Sequence, residues 1–256
     1  MLKYIGENKK TIVFPDDING KTYALVDYII ESLSPSEIIL SDNIIDIGNR
    51  PVYSRTTAAS TEYKNAKYIG SKTNPYFALA YLTDETLDSY ELHPDTKYIL
   101  DSAFRGTPIT SIVLPEGFRG IDYYVFVDCA NLVSLTVPST LTHVGEYAFS
   151  STNNIKTINI SSVTDWAKIS FRDSSACPIS SNGTDFYING EKITEFEISG
   201  IEKIGKYAFA RAIMDKCLIR EGIKEIGQEA FEGAKIGELF LPSTLEKAVE
   251  ALYATV

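Results

Sequence analysis

The chain has 256 residues, of which 44% are hydrophobic and 23% charged, the balance of an ordinary folded protein and not of a disordered one. With 24 Lys and Arg against 34 Asp and Glu the formal charge is −10, so phosphate backbones and anionic bilayers are repelled, and no nucleic-acid partner is expected. No apolar run approaches the ~18 residues of a membrane span, and Met1–Asn8 reaches Glu7 without an apolar core or a small-residue cleavage site, so neither membrane insertion nor an export signal is predicted from this chain.

In chain order, Thr11 to Phe14 reads as a short strand ended by Pro15, which has no N–H to donate. Ile18-Asn-Gly-Lys21 predicts a two-residue hairpin turn, because both central positions need positive φ. Tyr23 to Leu33 lacks Gly and Pro and reads as the second half of a first degenerate unit, with a helical turn. Ile38 to Leu40 is the next strand, and Ile44 to Val52 completes a second unit, so 10–53 holds degenerate N-terminal repeats. Ser54 to Lys67 is small and polar and predicts a mobile loop. Tyr68-Ile69 and Tyr76 to Leu82 predict the arms of a hairpin around Ser71–Pro75, and the whole of 54–89 reads as an insertion.

From Tyr90 onward one pattern recurs. An aromatic anchor stands at Phe104, Phe126, Phe149, Phe171, Phe209 and Phe231, with steps of 22, 23, 22, 38 and 22 residues. The long step is a repeat plus an insertion at Cys177–Lys192. Five residues before each anchor stand Ile99, Ile121, Val144, Trp166, Ile204 and Ile226, and further upstream come strand pairs such as Ile112/Leu114, Leu135/Val137 and Ile158/Ile160. One such unit cannot bury its apolar face alone, whereas stacked units form a continuous core and a parallel sheet. The fold predicted is therefore a β-rich repeat solenoid of 22–23-residue units over 1–256, regular at 90–176 and 193–235, with the 177–192 insertion set outside the stack. Phe186 to Ile193 predicts a hairpin turning at Asn189-Gly190. In the terminal unit, 236–256, Leu239 and Leu241 hold the strand columns and Tyr253 falls on the anchor column. There Leu245, Ala248, Val249 and Leu252 recur at helical spacing behind Ser243 and Glu246, which predicts a capping helix from Thr244 to Ala251.

The consensus I-x-x-I/V-x-I/V-P-x-x-I/V-x-x-I-G-x-x-A-F resembles the BspA-type leucine-rich repeat. Trp166–Phe171, followed by Pro178 and Phe186–Glu191, is similar to that family's long variant repeat. The likeness spans roughly residues 10 to 253. It implies attachment to a protein or cell-surface ligand and a secreted or surface location.

The residues themselves announce no chemistry. Cys129 and Cys217 fall in buried columns, and Cys177 opens the insertion and reads as the most reachable thiol. Three cysteines without a C-x-x-C spacing make neither a zinc site nor a disulfide framework. His93 and His143 lie in different repeats, too far apart for a shared nucleophile–base pair at roughly 2.6–3.2 Å. The chain is accordingly expected not to be an enzyme, with no catalytic, cofactor or metal residues. Two rival readings are an intracellular or virion-borne structural component on the same scaffold, and a hydrolase site in Ser54–Lys67 or Cys177–Lys192. Tyrosine is the one excess: 16 are present, and Tyr124, Tyr147 and Tyr207 share one column, with Tyr123 beside it. These four are the candidate protein-contact surface, as rigid amphipathic rings suit interfaces; the alternative is that they border the core and cover the next rung.

Overall fold

A regular repeat lays down two strands, one on a front face and one on a back face, and within a sheet each pairs in parallel with its equivalent in the neighbouring repeat. The computed structural model describes residues 11–25, 35–47, 58–248 and 250. Front strands Ser111–Val113, Ser134–Val137 and Thr157–Ile160 place Leu135 between Ile112 and Ile158. Back strands Tyr98–Ile99, Gly120–Ile121, His143–Val144 and Ser170–Phe171 align Ile99, Ile121, Val144 and Phe171. Alternate residues of each strand point inward, so Ile112, Leu135, Ile158, Ile121 and Val144 are all buried in one core.

The anchors stack inside this core. Ring centroids are 5.3 Å apart for Phe104–Phe126, 5.1 Å for Phe126–Phe149 and 5.3 Å for Phe209–Phe231, with planes 27°, 20° and 14° apart. Such pairs add about 0.5–1.5 kcal/mol each beyond the area they bury. The chain turns sharply on both sides of an anchor. Two residues before it, Ser102, Tyr124, Tyr147, Tyr207 and Glu229 have φ of 59°, 57°, 57°, 55° and 53°; two residues after it, Gly106, Asp128, Ser151, Arg211 and Gly233 have φ of 69°, 59°, 60°, 64° and 63°. Each repeat therefore has two left-handed corners, most of them on residues with a Cβ, which the rung-to-rung hydrogen bonds and the packed anchor hold in place.

Phe171 breaks the pattern and corrects the predicted register. It pairs with Val144 on the back face, and neither Ile169 nor Asp173 has positive φ. The anchor position of that repeat belongs to Ala176, whose neighbour Ser175 accepts the N–H of Phe149 at 3.0 Å just as Ala148 accepts that of Phe126 at 2.8 Å. Trp166 is likewise not in the Val144 column: it lies in the helix Val163–Ala167, capped by Ser162, whose hydroxyl accepts the N–H of Asp165 at 3.0 Å. Aromatic contacts still cross this stretch, from Trp166 to Phe186 at 5.2 Å, Phe186 to Phe196 at 5.4 Å and Phe196 to Phe209 at 5.9 Å. The indole Nε1 donates to Ala208 O at 2.6 Å.

The insertion is part of the stack and not outside it. Asp185–Ile188 pairs in parallel with Thr157–Ile160 as the next front rung, then turns at Asn189 (φ 53°) and Gly190 (φ 83°) into Glu191–Ile193, which pairs back antiparallel. The hairpin stands as predicted, and it ends the first front sheet. A second front sheet follows, Glu195–Ile198, Ile213–Ile219 and Lys235–Phe240, so the repeat strands do not form the one parallel sheet predicted. Tyr90–Leu92 is in neither sheet.

At the N-terminal end, Thr11–Val13 pairs with Glu37–Ile39 and Tyr23–Leu25 with Ile44–Ile47, all parallel, and Ile18 bridges Lys21 across the Asn19-Gly20 turn. The expected helical turn and the end of the second unit fall in 26–34 and 48–52, outside the described residues. Within the predicted mobile loop, Thr61–Tyr63 and Ala66–Ile69 are two arms of an antiparallel ribbon completed by Ala78–Leu82, because Lys64 and Asn65 make a tight turn between apolar-bearing arms. The first units dock on the regular array through Ile44 O, which accepts the Tyr98 hydroxyl at 3.1 Å and Arg119 Nη1 at 2.7 Å.

The capping helix is not formed over 244–248. Ser243 N–H and hydroxyl donate to the Glu221 carboxylate at 2.9 and 3.1 Å, Thr244 Oγ1 donates to Ile223 O at 3.0 Å, and Lys247 bridges Glu225 in parallel. The segment is one more back rung: bonds to the preceding repeat replace the local ones a helix would make. Val249 and Ala251, and the placement of Tyr253 on the anchor column, lie outside the described residues.

Candidate interaction surface

The tyrosines stand on the left-handed corner that follows the back strand. After Val144 the chain must leave the sheet without separating the rungs, and Gly145 allows it: a Cβ there would come within 2.8 Å of the Asp122 carbonyl carbon and 2.9 Å of Tyr123 N. The corner residue then donates its N–H along the stack, Tyr124 to Glu146 O at 3.3 Å and Tyr207 to Gln228 O at 3.2 Å. Tyr147 faces the irregular repeat, and there the Asp173 carboxylate stands in for the carbonyl, accepting at 3.1 and 3.4 Å. Asp173 Oδ1 also accepts the N–H of Ala176 at 2.7 Å, so one side chain repairs the break in the ladder.

Three of the four predicted rings converge. Tyr123 and Tyr124 have centroids 3.8 Å apart, Tyr124 and Tyr147 5.4 Å, and Tyr123 meets Tyr147 edge-on at 5.9 Å and 88°. The Arg105 guanidinium lies 5.7 Å from the Tyr124 ring, within the range of a cation–π contact. Tyr147 is 41% exposed and its two neighbours are half-buried. Tyr207 shares the corner but makes no ring contact with them; it packs against the core, and burial first, then Glu229, pushes its hydroxyl up to about 12. Arg105 and Asp173 complete the patch and were not singled out in the sequence. The only sequence signal for them is position: Arg105 follows an anchor directly, and Asp173 falls in the stretch where the period fails.

The other titratable groups take structural places. All three thiols are buried, including Cys177, contrary to its predicted reach, because Arg211 donates to the carbonyls of Ser174, Cys177 and Ile179 at 2.7, 3.2 and 2.9 Å and closes the loop over it. Burial pushes the Cys177 thiol up to about 11 and that of Cys217 up to about 12. His93 stacks on Tyr76 at 3.7 Å, whereas His143 lies on the back strand with Nε2 3.4 Å from Arg172 Nε. Among the described residues no group of three or more His, Cys, Asp or Glu is placed to hold a metal ion, and no helix is long and apolar enough to cross a membrane. A charged ladder runs along the far back face, with Glu225 between Lys203 at 3.0 Å and Lys247 at 2.9 Å.

Comparison with known proteins places the repeat. The family model described as "BspA type Leucine rich repeat region" matches in 6 copies over residues 76–178 and 180–255. No curated protein matches the chain. Among solved structures, the pneumococcal vaccine antigen PcpA is 17% identical with a TM-score of 0.39, over 86% of this chain and 51% of that one, so this chain spans about half its length. A leucine-rich cell surface protein from Faecalibacterium prausnitzii A2-165 is 15% identical with a TM-score of 0.33, over 93% of this chain and 71% of the other. A leucine-rich repeat protein from Bacteroides ovatus ATCC 8483 is 14% identical with a TM-score of 0.31, over 93% and 82%.

Proposed function

Since the chain belongs to the BspA-type leucine-rich repeat family, we propose that it is a non-enzymatic binding or cell-surface attachment module whose contact surface is the corner bearing Tyr123, Tyr124 and Tyr147. The observation that carries this reading is the convergence of the three rings at a corner where Tyr147 is 41% exposed. Stacked tyrosines lose little side-chain entropy on contact and offer both an apolar face and a hydroxyl, the combination that dominates binding energy at protein interfaces. Tyr207, on the same corner and packed on the core, adds a flank and not a centre. The ligand of this surface is a protein or a protein-bearing cell surface.

The test is retention on candidate protein and cell-surface ligands by the native chain and by the Tyr124→Asn/Tyr147→Asn variant. Asparagine tolerates the left-handed corner, so the change removes rings without refolding the turn. Loss of retention by about tenfold or more, from a variant that still unfolds cooperatively above the assay temperature, is expected, since hot-spot truncations cost about 2 kcal/mol or more. Equal retention by both proteins refutes the reading.

A further inference from the structure

The first front sheet ends at Ser111–Val113, and its outer edge is open. Every other front strand between it and the hairpin is paired on both sides. Toward Tyr90–Leu92 the two segments are joined only at their start, where Thr110 N–H donates to Asp88 O at 2.9 Å. Beyond that point, among the described residues, no main-chain hydrogen bond links Tyr90–Leu92 to Ser111–Val113, and a groove of about 610 Å³ lies along them. Its floor is apolar, with Leu92, Pro94, Val113 and Pro115, and the Lys64–Asn65 turn of the neighbouring ribbon overhangs one side. Val113 is 60% exposed although it sits in a strand.

The edge is also oriented for pairing. Leu114 N–H donates inward, to Thr136 O at 3.0 Å, and peptide groups along a strand alternate in direction, so the N–H and C=O of Val113 face the groove. An edge of this kind is completed by main-chain hydrogen bonds from an added strand, with alternate side chains deciding which strand. Charge decides here. Lys64 is the only cation lining the groove and is already held by the Glu91 carboxylate. The loops that supply Leu87, Ser89 and Pro115 also carry exposed Asp88 and Glu116, in a chain of net charge −10.

We propose that this groove binds an extended peptide segment in which apolar and basic side chains alternate, added as a strand to the edge at Ser111–Val113. The proposal names a second surface, separate from the tyrosine corner, and gives the binding role above a partner chemistry.

The probe is a fluorescently labelled octapeptide of alternating Val and Lys, titrated by anisotropy against the full chain. Three controls accompany it: the Val-Glu peptide, the Val-Lys peptide N-methylated at alternate amides, and the Asp88→Lys/Glu116→Lys variant. Saturable binding of the Val-Lys peptide is expected, with affinity lowered by about tenfold or more in each control, as charge reversal and loss of edge hydrogen bonds both act on the complex. Val113→Pro, which removes the edge donor, should weaken binding as well; if it does not fold, the N-methylated peptide still reports on the edge. Absence of saturable binding overturns the proposal, as does equal affinity of the N-methylated peptide, which would mean charge attraction alone. Tyr147→Asn should leave this binding unchanged. Loss on Tyr147→Asn with the rim variant unaffected would put the peptide on the corner, and would end this proposal while leaving the corner reading standing.

Discussion

Among the described glycines, Gly205 is the one whose added Cβ, in Gly205→Ala, would meet the closest main-chain atom. A Cβ on Gly205 would stand 2.0 Å from Ile169 O, 2.8 Å from Ile169 C and 3.4 Å from Ala167 O, all main-chain atoms of the rung beneath. Its own N–H donates to Ala167 O at 2.8 Å, so the clash and the hydrogen bond oppose each other across the same gap. Its φ is not left-handed, so the penalty is steric and not conformational. Overpacking of a well-filled site costs about 1–3 kcal/mol when side chains can shift; here only main chain can move, so about 3 kcal/mol or more is expected. For a chain of this size that lowers Tm by roughly 6–12 °C. Gly190→Ala is the control: nothing lies within 4 Å of its Cβ, but φ is +83°, so only the left-handed penalty of about 1–2 kcal/mol applies. Thermal unfolding followed by circular dichroism should rank Gly205→Ala well below Gly190→Ala. Equal Tm values for the two variants would refute the close approach of rungs at Gly205.

Other perturbations read the remaining parts of the stack. Phe126→Ala, which removes a buried ring from the middle of the stacked column, should cost about 3–5 kcal/mol in chemical unfolding. Ser151→Gly, at an exposed left-handed corner, should leave stability unchanged or raise it by up to about 1 kcal/mol, because glycine enters that conformation freely but gains entropy when unfolded. The buried thiols should resist a thiol reagent at neutral pH in the native chain and react fully after denaturation. Because burial raises the Cys177 thiol from 9.0 to about 11, the unfolded chain ionises first. The stability from that burial is whole below about pH 9 and is lost as pH rises toward 11, and Cys177→Ala should flatten that part of a pH–stability curve.

Periodicity made the scaffold legible, because a repeat writes each structural column several times over. The anchor stack of Phe104, Phe126 and Phe149 and the buried places of Cys129 and Cys217 follow from column identity, whereas the Asn189-Gly190 turn follows from the positive φ that Asn-Gly supplies. Phe171 was misplaced because it stands 22 residues after Phe149 by coincidence. The residues around it argue otherwise, since Ala167 follows Trp166 where the pattern needs Gly, and Ser162 with Asp165 is a helix start. The C-terminal helix failed for a related reason. Leu245 and Ala248 repeat the spacing of Leu141 and Val144, which are themselves three apart in a solenoid turn, so a helical stripe is built into the repeat. The corner conformations were invisible, because Tyr, Ser, Arg and Glu carry no preference for positive φ and are held there by rung-to-rung bonding. Convergence of Tyr123, Tyr124 and Tyr147 was legible only as a column shared by Tyr124 and Tyr147 with Tyr123 beside it, and the separation of Tyr207 depended on the register that Phe171 obscured. The open edge at Ser111–Val113 was hidden because Tyr90 and Leu92 fit their columns while their main chain diverges.

The binding role of the tyrosine corner is tested most directly by hydroxyl-radical footprinting, read by mass spectrometry, of the chain free and bound to a ligand or cell surface that retains it. Protection of Tyr123, Tyr124 and Tyr147 is expected on binding, with little change at the core-packed Tyr207. Unchanged oxidation of those three rings, with protection confined to another face of the solenoid, would contradict it.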